Sequence, residues 1–300
     1  MNFTSFFFIM FSMIYVIMGP TCSGKTELAN YLINKLDCDA INFDAFQIYK
    51  DMNIGTAKIS KADPHFSRYH LLDIKTPEES FSVMEYQKLA RKTLDKCLKT
   101  SNDVVFVGGT GLYIRAALYD YVFEKEDNAV DSDLEKLSNE ELFLMLKELD
   151  PETSEKIHVN NRKRLLRAIS LIRHANKKKS EIINEQEHKP IYNDIKFIFI
   201  SPERELLYNR IDSRVIKMMK EGLVDEVKGL LSKYKLSQTA TQGIGYKEVI
   251  QYLNHEISYE ECVALIQKRT RNYAKRQVTF FKNQFEYELY ASIDEAKDNI

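Results

Sequence analysis

Gly19-Pro20-Thr21-Cys22-Ser23-Gly24-Lys25-Thr26 fits the G-x-x-x-x-G-K-[ST] spacing of a phosphate-binding loop at every defined position. Its flanks agree. Ile14-Tyr15-Val16-Ile17-Met18 reads as a short buried strand, and Glu27-Leu28-Ala29-Asn30-Tyr31-Leu32-Ile33 opens an amphipathic helix. Glycines at 19 and 24 let backbone N–H groups turn inward on an anion, and the helix N-terminus adds a favourable dipole. Lys25 supplies a point charge for terminal phosphate oxygens, and Thr26 is the expected Mg²⁺ ligand. An incidental lysine after a glycine turn would not need strand, loop and helix in this order. The loop alone leaves open whether the phosphates belong to a nucleotide.

Outward from the loop, Asp39-Ala40-Ile41-Asn42-Phe43 reads as a second strand ending at Asp44. His70 to Ile74 suggests a third strand and Phe81 to Leu98 a helix. Val104-Val105-Phe106-Val107 is a buried strand ending in Gly108-Gly109-Thr110-Gly111. Ile195 to Ile200 is another strand, followed by mostly helical chain to about Asn283. This alternation predicts an α/β fold, a P-loop-type parallel sheet flanked by helices. Tyr119 to Tyr192 breaks the rhythm, rich in charge and without a clear strand. The expected organisation is therefore a first part of the core at 1–118, a helical insertion at 119–192, and core completion with basic C-terminal helices at 193–300. Ligands of such sheets lie beyond the carboxyl ends of the strands. The loop, Asp44 and Gly109-Thr110-Gly111 all fall there. For Asp44, position alone leaves a helix cap as good a reading as a functional carboxylate.

With 300 residues, 44% of them hydrophobic, the chain can bury a substantial core. Its four cysteines, Cys22, Cys38, Cys97 and Cys262, form no C-x-x-C pair, which argues against a zinc site and for free thiols in a reducing cytoplasm. Phe3 to Met18 is uncharged, so a signal peptide or anchor must be weighed. It has no basic leader and no small-residue cleavage site, and it is shorter than the about 20 residues of a spanning helix. No membrane association is expected, and residues 1–12 are read as a dispensable extension.

A net charge of −1 announces no nucleic-acid partner, but the distribution does. Asn161 to Lys179 carries Arg162, Lys163, Arg164, Arg167, Arg173, Lys177, Lys178 and Lys179 with no acid, and Lys268 to Lys282 carries Lys268, Arg269, Arg271, Lys275, Arg276 and Lys282 with none. A solvated helix face would explain one such block. Two of them leave phosphate contact equally open.

From Ile14 to Asn283 the chain resembles the bacterial tRNA dimethylallyltransferases, also called tRNA isopentenyltransferases. The resemblance rests on ordered motifs: the loop at 19–26, Asp44 to Tyr49 running into Gly55-Thr56-Ala57-Lys58, and Tyr69-His70-Leu71-Leu72-Asp73. Gly108 to Tyr113, Asn161 to Ala168, Arg210 to Val215, Gly222 to Val227, Gly243 to Glu248 and Thr270 to Gln277 follow. Ala45 replaces the family's usual serine, Phe280-Phe281 stands where tryptophan is usual, and Cys22 replaces a common alanine.

The resemblance implies transfer of the five-carbon group of dimethylallyl diphosphate to N6 of an adenosine beside the anticodon. By similarity the loop residues Gly19, Pro20, Thr21, Cys22, Ser23, Gly24, Lys25 and Thr26 hold the diphosphate, with Mg²⁺ on Thr26. Asp44 is then the general base, which relieves the weak nucleophilicity of the amine. Arg214 and Thr110 complete the catalytic set, Arg214 by stabilising the leaving diphosphate. The implied contacts to a tRNA anticodon stem-loop are Asp44, Ala45, Phe46, Gln47 and Thr110. To these are added a basic turn of Lys163, Arg164, Leu165, Leu166 and Arg167, and a helix bearing Arg269, Arg271, Lys275 and Arg276. A cytoplasmic monomer is expected. A small-molecule kinase would explain Lys25 and Thr26 but not the terminal basic helix. A prenyltransferase of free adenine nucleotides would share Asp44 but not need the tRNA-facing segments.

Overall fold

In this computed structural model, the described residues are 12–100, 103–123, 132–175, 178–184 and 188–300. Residues 1–11 of the expected extension and Lys177 of the first basic block lie outside them. Strands β1 (Ile14–Met18), β2 (Asp39–Asn42), β3 (Tyr69–His70), β4 (Val104–Val107), β5 (Ile195–Ile200) and β6 (Glu288–Tyr290) form one sheet in the order β3-β2-β4-β1-β5-β6. Every pairing is parallel, with Val16 opposite Phe106 on one side and Phe197 on the other. The apolar runs of β1 and β4 suit strands covered on both faces, and Val16, Ile17, Val105 and Phe106 are fully buried.

The chain divides into two compact units, Met1–Leu118 with Tyr192–Ile300, and Tyr119–Ile191. In the first unit, α1 (Lys25–Leu36), α2 (Val83–Thr100) and α3 (Gly111–Leu118) follow β1, β3 and β4. The second unit holds α4 (Asn139–Leu149), α5 (Pro151–Glu155), α6 (Arg162–Ala175) and α7 (Lys179–Asn184). After β5 the first unit resumes with α8 (Arg204–Lys220), α9 (Leu223–Lys233), α10 (Gln238–Thr241), α11 (Tyr246–Leu253), α12 (Tyr259–Gln284) and α13 (Ile293–Asn299).

Leu28 and Leu32 of α1 pack on Ile17, Ile198 and Ile200 of the sheet. Burial stabilises by roughly 1.5–3 kcal/mol per such side chain, so these contacts also fix where α1 begins. The connection from β1 to β2 leaves on one side of β1, and the connection from β4 to β5 leaves on the other. The carboxyl ends of β1 and β4 therefore border a crevice at the switch point of the sheet.

The second unit has its own apolar cluster, including Leu134, Leu142, Leu146, Leu165 and Ile169. Ser138 and Glu141 form a reciprocal capping box that starts α4. Buried Asp150 accepts from the Thr153 N–H and the Ser180 N–H, tying α5 to α7.

Two local expectations change. The third strand is only Tyr69–His70, because Leu71 and Asp73 take left-handed conformations (φ 62° and 53°). Asp73 there accepts from buried Lys58 at 2.6 Å. A sixth strand, β6, follows α12 on the edge of the sheet. Its three residues include exposed Glu288 and Leu289, so no hydrophobic run announces it.

Candidate active site

β1 delivers the chain into the loop at 19–24, and α1 begins at Lys25. Gly24 has φ 93°, a conformation that calls for glycine, and a Cβ there would lie 2.2 Å from Ile293 Cδ1 of α13, so that side chain would have to shift. Lys25 Nζ donates to the Pro20 carbonyl at 2.7 Å. Burial brings its pKa down to about 8, against the opposing pull of the Asp44 carboxylate. From α8, Arg214 donates to Thr21 Oγ1 at 3.2 Å and approaches Cys22 Sγ at 3.6 Å. A cavity of about 380 Å³ opens here, lined among others by Lys25, Thr26, Asp44, Arg210 and Arg214.

Asp44 stands two residues beyond β2. Asn42 Oδ1 accepts the Asp44 N–H at 3.1 Å, and Asn42 Nδ2 donates to the Leu71 carbonyl at 3.2 Å. Oδ1 of Asp44 accepts from the N–H groups of Phe46 and Gln47, at 2.9 and 3.3 Å. Its Oδ2 lies 3.8 Å from where a Cβ on Gly109 would be. No helix directly follows Asp44, so the helix-cap alternative gives way to a turn cap made by one oxygen, while the carboxylate as a whole still lines the cavity. Thr110 Oγ1 accepts the Ala45 N–H at 3.0 Å, and the Thr110 N–H returns to the Phe43 carbonyl at 3.1 Å, so the ends of β2 and β4 are laced together.

A second cavity of about 280 Å³ has an apolar side formed by Phe46, Ile211, Val215, Met218 and Ile266. It shares Thr21, Asp44, Thr56, Arg214 and Tyr273 with the first. Arg276 borders it, its guanidinium 5.8 Å from the centroid of the Tyr273 ring. Burial raises the Tyr273 pKa above the ordinary phenol value.

The basic residues sort differently from the sequence reading. Lys163, Arg164 and Arg167 are exposed on α6, so the expected basic turn is the start of a helix. Leu165 is fully buried in the cluster of the second unit, and Leu166 packs against it. Their apolar side chains belong to that core, which removes Leu165 as an RNA-contacting side chain. Arg269 pairs with Glu248 and Arg271 with Asp212, so each guanidinium already has a protein carboxylate. Lys275 and Arg276 are exposed.

Sequence reasoning named no role for Tyr273 or Gln277. Both lie in the Thr270–Gln277 motif, in register to reach the cavities three and seven residues along one helix. Among the described residues, the one group of three close metal-ligand side chains is Asp39, His70 and Cys97. Asp39 begins β2, at the opposite end from Asp44, and Arg68 already takes one of its oxygens at 2.8 Å.

A phosphate-loop lysine and a carboxylate lining one cavity, beside a second and more apolar one, mark a phosphate-handling site of the P-loop type. The sequence model of the IPP transferase family matches residues 47–284. A tRNA dimethylallyltransferase of Bacillus licheniformis is 42% identical over 279 residues, covering 91% of this chain and 88% of that protein. One from Anoxybacillus flavithermus is 39% identical over 284 residues, covering 94% and 91%. The crystal structure of a Staphylococcus epidermidis tRNA Δ(2)-isopentenylpyrophosphate transferase aligns with a TM-score of 0.71 at 36% identity, covering 96% of this chain and 97% of that one. A eukaryotic dimethylallyltransferase acting on tRNA aligns with a TM-score of 0.82 at 26% identity, covering 96% and 77%. The chain belongs to the IPP transferase family and is a prenyltransferase.

Proposed function

We propose that this enzyme transfers the dimethylallyl group of dimethylallyl diphosphate to N6 of the adenosine 3′ of the anticodon, position 37, in tRNAs reading codons that begin with U. The observation that carries the mechanism is the meeting of the two cavities at Asp44. The side containing Lys25, Thr26 and Arg214 suits a diphosphate. The apolar side suits the prenyl chain and a base turned out of its stack, a movement that costs least in a single-stranded loop.

In the reaction the N6–C1 bond forms as the allylic C1–O bond breaks. The N6 proton passes to the Asp44 carboxylate, and diphosphate leaves with the bonding electrons. General-base help of this kind is worth typically about 10²–10⁴-fold. Charge gathering on the diphosphate is met by Lys25, Arg214 and the N–H groups of the loop. The hydroxyl of Thr26 and the substrate's own oxygens are hard donors that fit Mg²⁺, which would supply further charge neutralisation when bound.

Phe46, Gln47, Thr110 and Arg276 are assigned to the tRNA on the strength of their places at or beside the cavities, and Lys275 on exposure and charge. Lys163, Arg164 and Arg167 are assigned to it on exposure and charge. Arg162, Lys163 and Arg164 occupy the first turn of α6, the end where a helix dipole disfavours cations. Arg162 is used internally, donating to the Leu137 and Glu135 carbonyls at 2.7 Å each. An RNA phosphate would offset the unfavourable placement of the other two. The four cysteines are free thiols, which suits a reducing cytoplasm.

The test is incubation with radiolabelled dimethylallyl diphosphate and Mg²⁺, offering bulk tRNA, AMP and ATP separately. Label in tRNA alone is the expected result. Label in AMP or ATP alone would replace the proposal with a free-nucleotide enzyme, and label in none would withdraw it.

A further inference from the structure

Gln277 lies on α12, far in sequence from both the phosphate loop and the turn after β4, yet it is bonded to each. Its Oε1 accepts the Thr21 N–H at 2.9 Å, and its Nε2 donates to the Gly109 carbonyl at 2.9 Å. The side chain is 5% exposed, so neither bond is readily replaced by water. The partners settle the orientation of the amide, because a backbone N–H must face the oxygen and a carbonyl must face the nitrogen.

The two bonds extend further through the site. Thr21 is also the residue whose hydroxyl accepts from Arg214. Gly109 precedes Thr110, whose hydroxyl holds the Ala45 N–H beside Asp44. Gln277 is therefore a single amide spanning the cradle of the diphosphate and the turn that positions the base. Space is fitted to it as well. A Cβ on Gly109 would approach Nε2 to 2.3 Å, so a glycine there admits the amide.

We infer that Gln277 is a positioning residue for prenyl transfer, setting the separation between the phosphate loop and Asp44 through its paired acceptor and donor. Displacements of about 1 Å in such a separation cost on the order of 10²-fold in rate. Gln277 itself touches no reacting atom in this assignment. An amide supplies an acceptor and a donor at once without charge, on two separate atoms. Methionine matches its length but offers no donor. A glutamate carboxylate can accept from Thr21 but cannot donate to Gly109, and it regains a donor when protonated. The charged and titratable groups lining the same cavity are Cys22, Lys25, Asp44, Tyr69, Arg210, Arg214 and Tyr273, and the anionic substrate would join them.

The inference rests on the proposed reaction, so the wild-type enzyme is assayed first with labelled dimethylallyl diphosphate and tRNA. Absence of transfer by the wild type would count against the reaction itself. Binding of inorganic diphosphate, followed by calorimetry, then tests the positioning of the loop without turnover. With an active wild type, Gln277→Met should lower kcat by about 10- to 100-fold while the KM for tRNA stays within about threefold. Gln277→Glu should show a kcat, taken as a ratio to wild type at each pH, that recovers as the pH falls and the new carboxyl takes a proton. A Gln277→Met enzyme with wild-type kcat would overturn the inference. So would a Gln277→Glu ratio that is flat with pH, since a merely structural defect would not track that proton. Unfolded variants would be recognised by thermal melting, and Gln277→Asn, which keeps both groups on a shorter arm, then decides. Partial activity with an intact fold upholds the inference, and full activity sinks it.

Discussion

Arg269 of α12 and Glu248 of α11 form an ion pair whose carboxylate is 1% exposed. Glu248 also accepts the Gly245 N–H at 2.7 Å, capping the start of α11. The pair therefore joins two helices and closes the backbone of one of them. Arg269→Gln would leave Glu248 buried without its cation. Removal of one partner from a buried pair costs about 3–5 kcal/mol, and the cost here should fall below that range because Arg269 is a third exposed. The expected result is a clearly lowered melting temperature with an unchanged salt dependence of tRNA binding. Thermal melting and filter binding across a salt series would check both. A stable variant with a shallower salt slope would return Arg269 to the RNA.

Asp44→Asn separates the two duties of that side chain. The amide oxygen can still accept from Phe46 and Gln47, so the turn beyond β2 should survive. The general base is lost, and single-turnover transfer should fall by about 10²–10⁴-fold. Diphosphate and tRNA affinities should change little. Rapid-quench transfer at saturating enzyme is the measurement, and a rate near that of wild type would remove Asp44 from proton transfer.

How much of this was legible beforehand depends on the range of the interaction. The loop, β1, β2, β4 and β5 announced themselves through local signals, namely glycine spacing and apolar runs bounded by turns. The positions of Asp44 and Thr110 just past strand ends were legible from the alternation of strands and helices. Gln277 was not, since its bonds span 256 and 168 residues and its own neighbourhood reads as a basic helix. The ion pair of Arg269 was not legible for the same reason. A charge run says which residues are cationic, but only the fold says that Glu248 lies opposite one of them. Leu165 was drawn into a basic motif by its neighbours, although helical spacing turns it toward Ala168 and Ile169 in the core.

Lys25 gives the free enzyme a pH signature. Burial lowers its pKa from 10.5 to about 8. Between those values the unfolded chain holds a proton that the folded chain has lost, so this group makes stability rise with pH over that window. Diphosphate should reverse the trend, because a bound anion keeps Lys25 protonated. Its affinity should correspondingly weaken as pH rises through about 8. Melting temperatures from pH 7 to 10.5, with and without inorganic diphosphate, should therefore differ in slope, and Lys25→Met should abolish the difference. Equal slopes in wild type and variant would mean that Lys25 does not titrate there.

Gly24 and Ile293 offer a steric test of the bracing of the loop. Gly24→Ala introduces a methyl 2.2 Å from Ile293 Cδ1 and places a side chain at φ 93°. The left-handed backbone alone costs on the order of 1–2 kcal/mol. The variant should bind diphosphate more weakly, because the loop cannot keep its shape at the start of α1. Ile293→Ala combined with it removes the clash but not the backbone strain, so recovery should be partial. Full recovery would mean that the conformation of Gly24 is unimportant, and no recovery would mean that α13 does not brace the loop.

The exposed cations of α6 should behave as electrostatic contacts and nothing more. Lys163→Gln with Arg164→Gln removes two charges from the first turn of a helix whose dipole opposes them, so the protein should become slightly more stable. Each lost phosphate contact should reduce the slope of log affinity against log salt by about one unit, giving about two for the pair. The single-turnover rate at saturating tRNA should stay at the wild-type level, since neither residue lines the cavities around Asp44. Binding of the double variant to an anticodon stem-loop, titrated from low to moderate salt beside the wild type, measures the slope directly. Parallel lines would show that α6 presents a solvated face, and a rate defect at saturation would show that the second unit does more than hold the RNA.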